Sequence, residues 1–267
     1  MSKQEKTEEL AAKIIASKKY RFIYEKTIER IVSVCAKKYS QKKTVEKKAR
    51  NLLHQIWAAY YTPRPDFEKL LNRLKAEIAA GKEKKESVLE ILRVQSSTAE
   101  RLPILENFYS RIFSLTGPVE SIIDHGCGLN SLTFFWMDLA KSASYQAFDI
   151  DKEQIEFLNS VFALFGEKQV KIGLADILAD KFDWAEMVFL LKLLPCLEKQ
   201  EKGASQRTLE SAKAKYLVVS YPIKSLSGRQ KGMPDFYSQQ FHDLVKAKPW
   251  QVEKLLFATE LVFVVKK

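Results

Sequence analysis

The segment Ser121-Ile-Ile-Asp124-His-Gly126-Cys-Gly128-Leu-Asn130 reads as a strand that passes through a glycine turn into a helix. Gly126 and Gly128 lack a Cβ, so the chain can bend sharply and a ligand can approach the backbone, while the helix start offers free N–H groups. Position 131 is Ser, so the third glycine of a dinucleotide fingerprint is missing, and Asp124 stands just ahead of the turn. That carboxylate disfavours a pyrophosphate but tolerates a ligand carrying an ammonium and a sulfonium. A plain tight turn also contains such a glycine pair, so other residues must agree before the turn means binding.

Several do. Asp149 closes the next apolar run, where a carboxylate can accept from both ribose hydroxyls, although Asp149 and Asp151 would also serve as N-caps of the following helix. Ala175-Asp176-Ile177 closes the third run, with an acceptor for an adenine amino group and an apolar wall for the ring. Ser97-Thr98-Ala-Glu100-Arg101 fits a capping box, with Ser97 at the N-cap and Glu100 three residues on. Arg101 is left over, and it can clamp a carboxylate in a two-pronged pair. Phe189-Leu-Leu-Lys192-Leu-Leu-Pro195 leaves the fourth run without the Asn or Asp and Pro-Pro-Tyr by which amino-methyltransferases hold a target amine. An apolar exit suits a substrate atom that already has a lone pair; most of its residues are expected in the core. After the fifth run, Lys224, Arg229 and Lys231 lie among glycines and hydroxyls between Ser220 and Met233, as in a loop that contacts phosphate or in a plain solvated loop. His54 and His125 have no triad partner at a recognisable spacing, which disfavours a hydrolase and leaves them structural roles. Cys35, Cys127 and Cys196 form no CxxC pair, so neither a disulfide framework nor a metal site is expected.

These groups need a framework that brings strand ends together. From residue 119 onward, short apolar runs at 119–124, 145–149, 170–174, 187–191 and 216–221 alternate with helical patterns, as in a parallel sheet with crossover helices. The last two runs, 251–257 and 261–266, stand too close for a crossover and must form a hairpin, placing one antiparallel strand in the sheet. A dinucleotide dehydrogenase ends on a parallel strand instead. The fold expected for residues 96–267 is therefore α/β, the Rossmann-like class I sheet of S-adenosylmethionine-dependent methyltransferases.

Residues 1–95 read as helices. Apolar positions recur at Leu10, Ile14 and Ile15, at Ile28, Ile31, Val32 and Cys35, and from Val45 to Tyr60 before Pro63 and Pro65, with shorter helices over 66–80 and 86–94. This third of the chain holds 23 Lys and Arg against 12 Asp and Glu, whereas residues 96–267 hold 21 against 21, so the whole net charge of +11 lies in front of the sheet. Clusters at Lys18, Lys19, Arg21, at Lys37, Lys38, at Lys42, Lys43 and at Lys47, Lys48, Arg50 could each be a solvated face, but together they point to a polyanion. The residues allow a helical, basic docking domain at 1–95 and a catalytic domain at 96–267. The first residues lack an apolar signal core, and no apolar run reaches the ~18 residues of a membrane span, so a cytoplasmic protein is expected.

In this order, Ala16-Ser-Lys-Lys-Tyr20, Leu53-His-Gln-Ile-Trp-Ala-Ala-Tyr60, Ser96-Ser-Thr-Ala-Glu-Arg101, Gly126-Cys-Gly-Leu-Asn130, Phe189–Pro195 and Ser220–Met233 resemble one family over nearly the whole chain. It comprises the aminoglycoside-resistance methyltransferases that modify N7 of guanine 1405 in 16S rRNA, and the chain looks nearer the branch acquired by pathogens than that of antibiotic producers. The resemblance implies S-adenosylmethionine as cofactor, contacted by Tyr60, Ser97, Thr98, Arg101, Gly126, Asp149, Asp176, Ile177, Leu191 and Gln200. It implies that Lys224, Arg229, Lys231 and Met233 approach the target nucleotide, and that Lys18, Lys19, Arg21, Lys42 and Lys43 hold RNA. It further implies 16S rRNA in the assembled 30S subunit as partner, a monomer, no DNA or membrane, no catalytic general base, and resistance to 4,6-disubstituted deoxystreptamines. Family members follow the glycine turn with Asn-Pro; here Asn130 precedes Ser131, which costs the turn rigidity. Two other readings stay open: a methyltransferase for another decoding-site atom such as adenine N1, and a noncatalytic rRNA-binding factor of the same fold.

Overall fold

In β4 (Ala185–Leu191), Met187, Phe189 and Leu191 join one apolar core while Val188 and Leu190 join another, because successive side chains of a strand point to opposite faces. The same alternation separates Tyr216 and Val218 from Leu217 and Val219 in β5 (Ala214–Pro222), and Val262 and Val264 from Leu261, Phe263 and Val265 in β7 (Glu260–Lys266). Strands covered on both faces require the continuous apolar runs that the sequence contains. The computed structural model describes residues 2–57, 61, 63–223 and 233–267.

The remaining strands are β1 (Ser121–His125), β2 (Ser144–Asp149), β3 (Val170–Leu174) and β6 (Gln251–Leu256). The sheet order is β3-β2-β1-β4-β5-β7-β6, parallel from β3 to β5 and antiparallel on both sides of β7. All seven expected strands and the closing hairpin are present. The winding reverses between β1 and β4, which opens a crevice at the carboxyl ends of those strands. The segment after the glycine turn differs from expectation: it is a 3-10 helix, Gly128–Trp136, rather than an α-helix.

Three helices, α1 (Lys3–Ile15), α2 (Glu25–Lys38) and α3 (Lys42–Trp57), close on their own core of Leu10, Ile14, Ile28, Ile31, Val32, Ala49 and Leu53. In contrast, α4 (Phe67–Ala79) and α5 (Lys84–Leu92) send Phe67, Leu74, Val88, Ile91 and Leu92 into the core of the sheet. The expected division at residue 95 thus does not follow the packing: helical spacing shows that a face is buried, not against what. The capping box is also not formed, because α6 (Ser96–Arg101) starts one residue early with Gln95 at its N-cap and no side-chain cap. Its Glu100 instead pairs with Lys192 at 2.7 Å.

A buried ionic cluster ties α6 to β7. Arg101, 1% exposed, lies 2.8 Å through Nε from Glu260 Oε1 and donates through NH2 to Oε2 at 2.9 Å, and Lys192 Nζ approaches Oε1 at 3.4 Å. Burial pushes the Glu260 carboxyl up, but Arg101 and Lys192 outweigh it and hold the group below its ordinary range. Removing one member of a buried pair leaves the others uncompensated and costs roughly 3–5 kcal/mol. Glu260→Gln is therefore expected to lower the unfolding free energy by about that amount in urea titrations, and a loss below about 1 kcal/mol would sink this account.

Candidate functional site

The carboxyl ends of β1 to β4 surround a cavity at the switch point where doubly wound sheets bind their ligands. The glycine turn forms its floor. Gly126 and Gly128 have φ of +61° and +50°, and a Cβ on them would meet Leu193 Cδ1 at 2.7 Å and Gln95 Oε1 at 2.5 Å. Both positions therefore favour glycine by their positive φ, and a Cβ would in addition push aside the ends of the Leu193 and Gln95 side chains. The turn's free N–H groups are already taken: Gly128 donates to Asp149 Oδ2 at 2.8 Å and Leu129 to Gln95 Oε1 at 2.7 Å. Asp124 faces away from the cavity, accepting from Asn130 Nδ2 at 2.8 Å and Tyr145 OH at 2.7 Å.

Of the residues expected at the cofactor, Ser97, Gly126, Asp149, Asp176, Ile177, Leu191 and Gln200 all line this one cavity. Asp149 sits at the end of β2 with its other oxygen accepting from the Ile150 N–H at 2.7 Å. Burial, with the neighbouring Asp151 charge adding to it, raises its carboxyl to about 6 against the pull of three backbone N–H donors. Asp151, not Asp149, caps α8 (Lys152–Phe165) by accepting from Gln154 N at 3.2 Å. Asp176 accepts twice on Oδ2 from Arg30, at 2.7 and 2.9 Å, and on Oδ1 from Leu178 N at 2.9 Å.

Two expected residues lie elsewhere. Thr98 is buried behind the wall, donating to the carbonyl of Leu92 or Gln95. Arg101 does not reach the cavity, because Glu260 and the side-chain amide oxygen of Asn130 hold its guanidinium; the clamp expected of it is not in place. Tyr60 lies outside the described residues, while its neighbour Tyr61 lines the cavity and donates to Gln154 Oε1. Among the expected RNA contacts, Lys18, Lys19 and Arg21 are exposed in the turn between α1 and α2, and Lys42 and Lys43 are exposed at the start of α3, where Lys42 pairs with Glu9 at 2.8 Å. Met233 opens α11 (Met233–Val245), half-buried; Lys224, Arg229 and Lys231 lie outside the described residues.

Sequence reasoning missed several lining residues: Thr27, Arg30, Ile56 and Trp57 from the helices, Gln95, His125, Gln154 and Lys192. Lys192 was hidden in an apolar run, yet its φ of +56° bends the chain at the end of β4 and sets its side chain in the cavity wall. Four buried polar atoms in this wall have no partner within the protein: Thr27 Oγ1, Arg30 NH1, His125 Nδ1 and Gln154 Nε2. The glycine turn, two aspartates and an apolar wall of Ile177 and Leu191 fit an adenosine, which brings a flat ring, an amino group and two hydroxyls.

The family model described as "Ribosomal RNA methyltransferase (FmrO)" matches residues 16–264 of the chain. A protein of Proteus mirabilis named 16S rRNA (guanine(1405)-N(7))-methyltransferase is 32% identical, with 97% of each chain covered. One of the same name from Serratia marcescens is 34% identical, covering 95% of this chain and 96% of that one. The crystal structure of the 16S rRNA methyltransferase RmtF in complex with S-adenosyl-L-homocysteine superposes with a TM-score of 0.84 at 28% identity, covering 100% of this chain and 99% of that one.

The raised carboxyl of Asp149 makes a ligand role for it testable by pH. If its ionised form accepts the ribose hydroxyls, affinity is retained above pH 6 and lost as pH falls through that value, roughly fourfold between pH 7.5 and 5.5. Calorimetry with S-adenosylhomocysteine should show this fall in the wild type and a weaker, flat profile in Asp149→Asn. Equal affinity at both pH values in the wild type would remove Asp149 from the ligand.

Proposed function

We propose that this chain, which belongs to the FmrO family of ribosomal RNA methyltransferases, transfers the methyl group of S-adenosylmethionine to N7 of guanine 1405 in 16S rRNA. The observation that carries the reading is a cavity at the β1/β4 crevice lined by the glycine turn and by Asp149, Asp176, Ile177 and Leu191, in a chain that matches guanine-1405 methyltransferases end to end.

Guanine N7 offers a lone pair on the major-groove edge and carries no proton at neutral pH, so no base has to remove one. When bound, the cofactor supplies an electrophilic methyl group on a sulfonium. The protein's task is positioning and exclusion of water, which in well-oriented cases is worth roughly 7–11 kcal/mol. In this reading Asp149 accepts from the ribose, Asp176 accepts from the adenine amino group, and Ile177 and Leu191 wall the ring and the methyl. Arg30 and Lys192 are the cations that line the cavity among the described residues, and both are already paired within the protein, Arg30 with Asp176 and Lys192 with Glu100. Burial lowers His125 to about 4, so its ring is neutral at physiological pH and adds no charge beside the sulfonium.

The exposed lysines and arginine of the helices, with Lys224, Arg229, Lys231 and Met233, hold the RNA. The A-form major groove is too narrow for side chains, so the target guanine must leave its stack. The substrate in this proposal is the 30S subunit, the enzyme is a cytoplasmic monomer, and the new methyl and positive charge exclude 4,6-disubstituted deoxystreptamines. Among the described residues no helix is long and apolar enough to cross a membrane.

Arg229→Ala or Lys231→Ala should lower methyl incorporation on 30S subunits at least tenfold while cofactor affinity stays within about twofold, with the product mapped by primer extension. Single-turnover rates at saturating 30S and cofactor should be flat above pH 7, and 30S binding should weaken steeply with salt. Methylation mapped to adenine N1 or to an exocyclic amine would overturn the N7 assignment. Tight 30S binding without methyl transfer would instead make the chain a noncatalytic factor.

A further inference from the structure

A glycine permits a positive φ but does not impose it, so a turn with Gly126 at +61° and Gly128 at +50° takes its shape from the bonds around it. Two side chains supply them. Asp149 Oδ2 accepts from the Gly128 N–H at 2.8 Å, and Gln95 Oε1 accepts from the Leu129 N–H at 2.7 Å. Leu129 is fully buried, so without Gln95 its N–H has no water to turn to. Gln95 also fills the space over Gly128, since its amide atoms stand 2.5 to 2.9 Å from where a Cβ would be.

Gln95, 6% exposed, is itself held at both ends. As the N-cap of α6 its carbonyl accepts from the Ala99 N–H at 2.9 Å. Its Nε2 donates to Tyr61 OH at 3.3 Å, and that hydroxyl donates to Gln154 Oε1. Gln154 lies in the first turn of α8, where its N–H is fixed on Asp151. Burial, with the charges of Asp151 and Asp149 adding to it, pushes the Tyr61 phenol up, so the hydroxyl keeps the proton this relay requires. In the proposed site Asp149 is shared between the turn and the ribose, whereas the bonds of Gln95 stay within the protein.

We propose that Gln95 is a positioning residue of the cofactor site: its amide sets the glycine turn in its binding shape before the ligand arrives, and it ties that shape through Tyr61 to α8. The inference rests on the reading that S-adenosylmethionine fills this cavity. A turn set in advance presents the bare Cα atoms of Gly126 and Gly128 rather than free N–H groups, so a ligand approaches closely there and needs no anionic group to satisfy the backbone.

The test pairs calorimetry with S-adenosylhomocysteine and amide hydrogen exchange resolved by NMR, both on the full-length protein. In the ligand-free wild type the Leu129 amide should exchange slowly, and the ligand should change its rate less than about threefold, because the brace is already in place. Gln95→Leu keeps the bulk but leaves the Leu129 N–H unmet; it should bind the ligand about tenfold or more weakly and speed exchange over residues 126–130 by a similar factor. Gln95→Glu, which keeps an oxygen for that N–H, should bind within about threefold of the wild type. Weaker binding in Gln95→Leu with unchanged exchange in the turn would mean that Gln95 touches the ligand itself, and it overturns the inference, as does unchanged affinity. A merely structural role would speed exchange across the whole sheet and leave the affinity of the folded protein alone. A wild-type Leu129 amide that exchanges freely until ligand binds sinks the inference without any variant, so a misfolded Gln95→Leu does not shelter it. If S-adenosylhomocysteine fails to bind the wild type, the methyltransferase reading itself falls, and the inference with it.

Discussion

Asp151 is 2% exposed and accepts four hydrogen bonds: from Trp57 Nε1 at 2.7 Å, from Arg64 NH1 and NH2 at 2.8 Å each, and from the Gln154 N–H at 3.2 Å. A buried carboxylate is tolerated only when its lone pairs are met, and here each donor comes from a different part of the chain. The end of α3, the segment leading to α4 and the start of α8 are all fixed on one side chain. Around it, Tyr24 N donates to the Ile150 carbonyl and Lys152 N to the Phe22 carbonyl, both at 2.8 Å, so the turn between α1 and α2 is paired with the loop after β2. That loop carries Asp149. The basic helices and the Asp149 end of the cavity are therefore held in one frame, and the placement of Thr27, Arg30, Ile56 and Trp57 in the cavity wall follows from it.

On the other side of the crevice the cluster of Arg101, Glu260, Lys192 and Glu100 has a comparable role. It joins α6, the end of β4 and the start of β7, so the antiparallel strand that distinguishes this sheet is linked by charge as well as by its ladder with β5. Glu260 stands opposite Pro222, the last residue of β5, two positions before Lys224.

The sheet was legible because both of its faces are buried: runs such as Val188 to Leu191 admit no polar residue, and the three residues between the last two strands permit only a hairpin. The seven strand-end and helix positions that converge on the cavity were legible because strand ends of a doubly wound sheet meet at one crevice. What failed depended on partners far away in sequence. Nothing near Arg101 announces that Glu260 will take its guanidinium, and nothing in the basic stretch of α2 separates Arg30, which is turned inward to Asp176, from Lys37 and Lys38, which are exposed. Phe67 and Leu74 carry the spacing of any amphipathic helix, so their membership in the sheet's core could not be told from membership in the helical unit. The Ser97 and Glu100 pattern yielded to a helix start at Ser96, with Glu100 better used as the counterion of Lys192.

A Rossmann-like sheet offers any adenosine ligand much the same glycine turn and strand-end carboxylates. Here part of the wall comes from outside the sheet, from Thr27 and Arg30 on α2 and Ile56 and Trp57 on α3. A nucleoside analogue extended from the adenine toward α2 and α3 would meet a hydroxyl, a guanidinium and an indole that the sheet by itself does not supply. Inhibitor selectivity over other enzymes with the same sheet is thus a matter of the helical wall that Thr27, Arg30, Ile56 and Trp57 add to it.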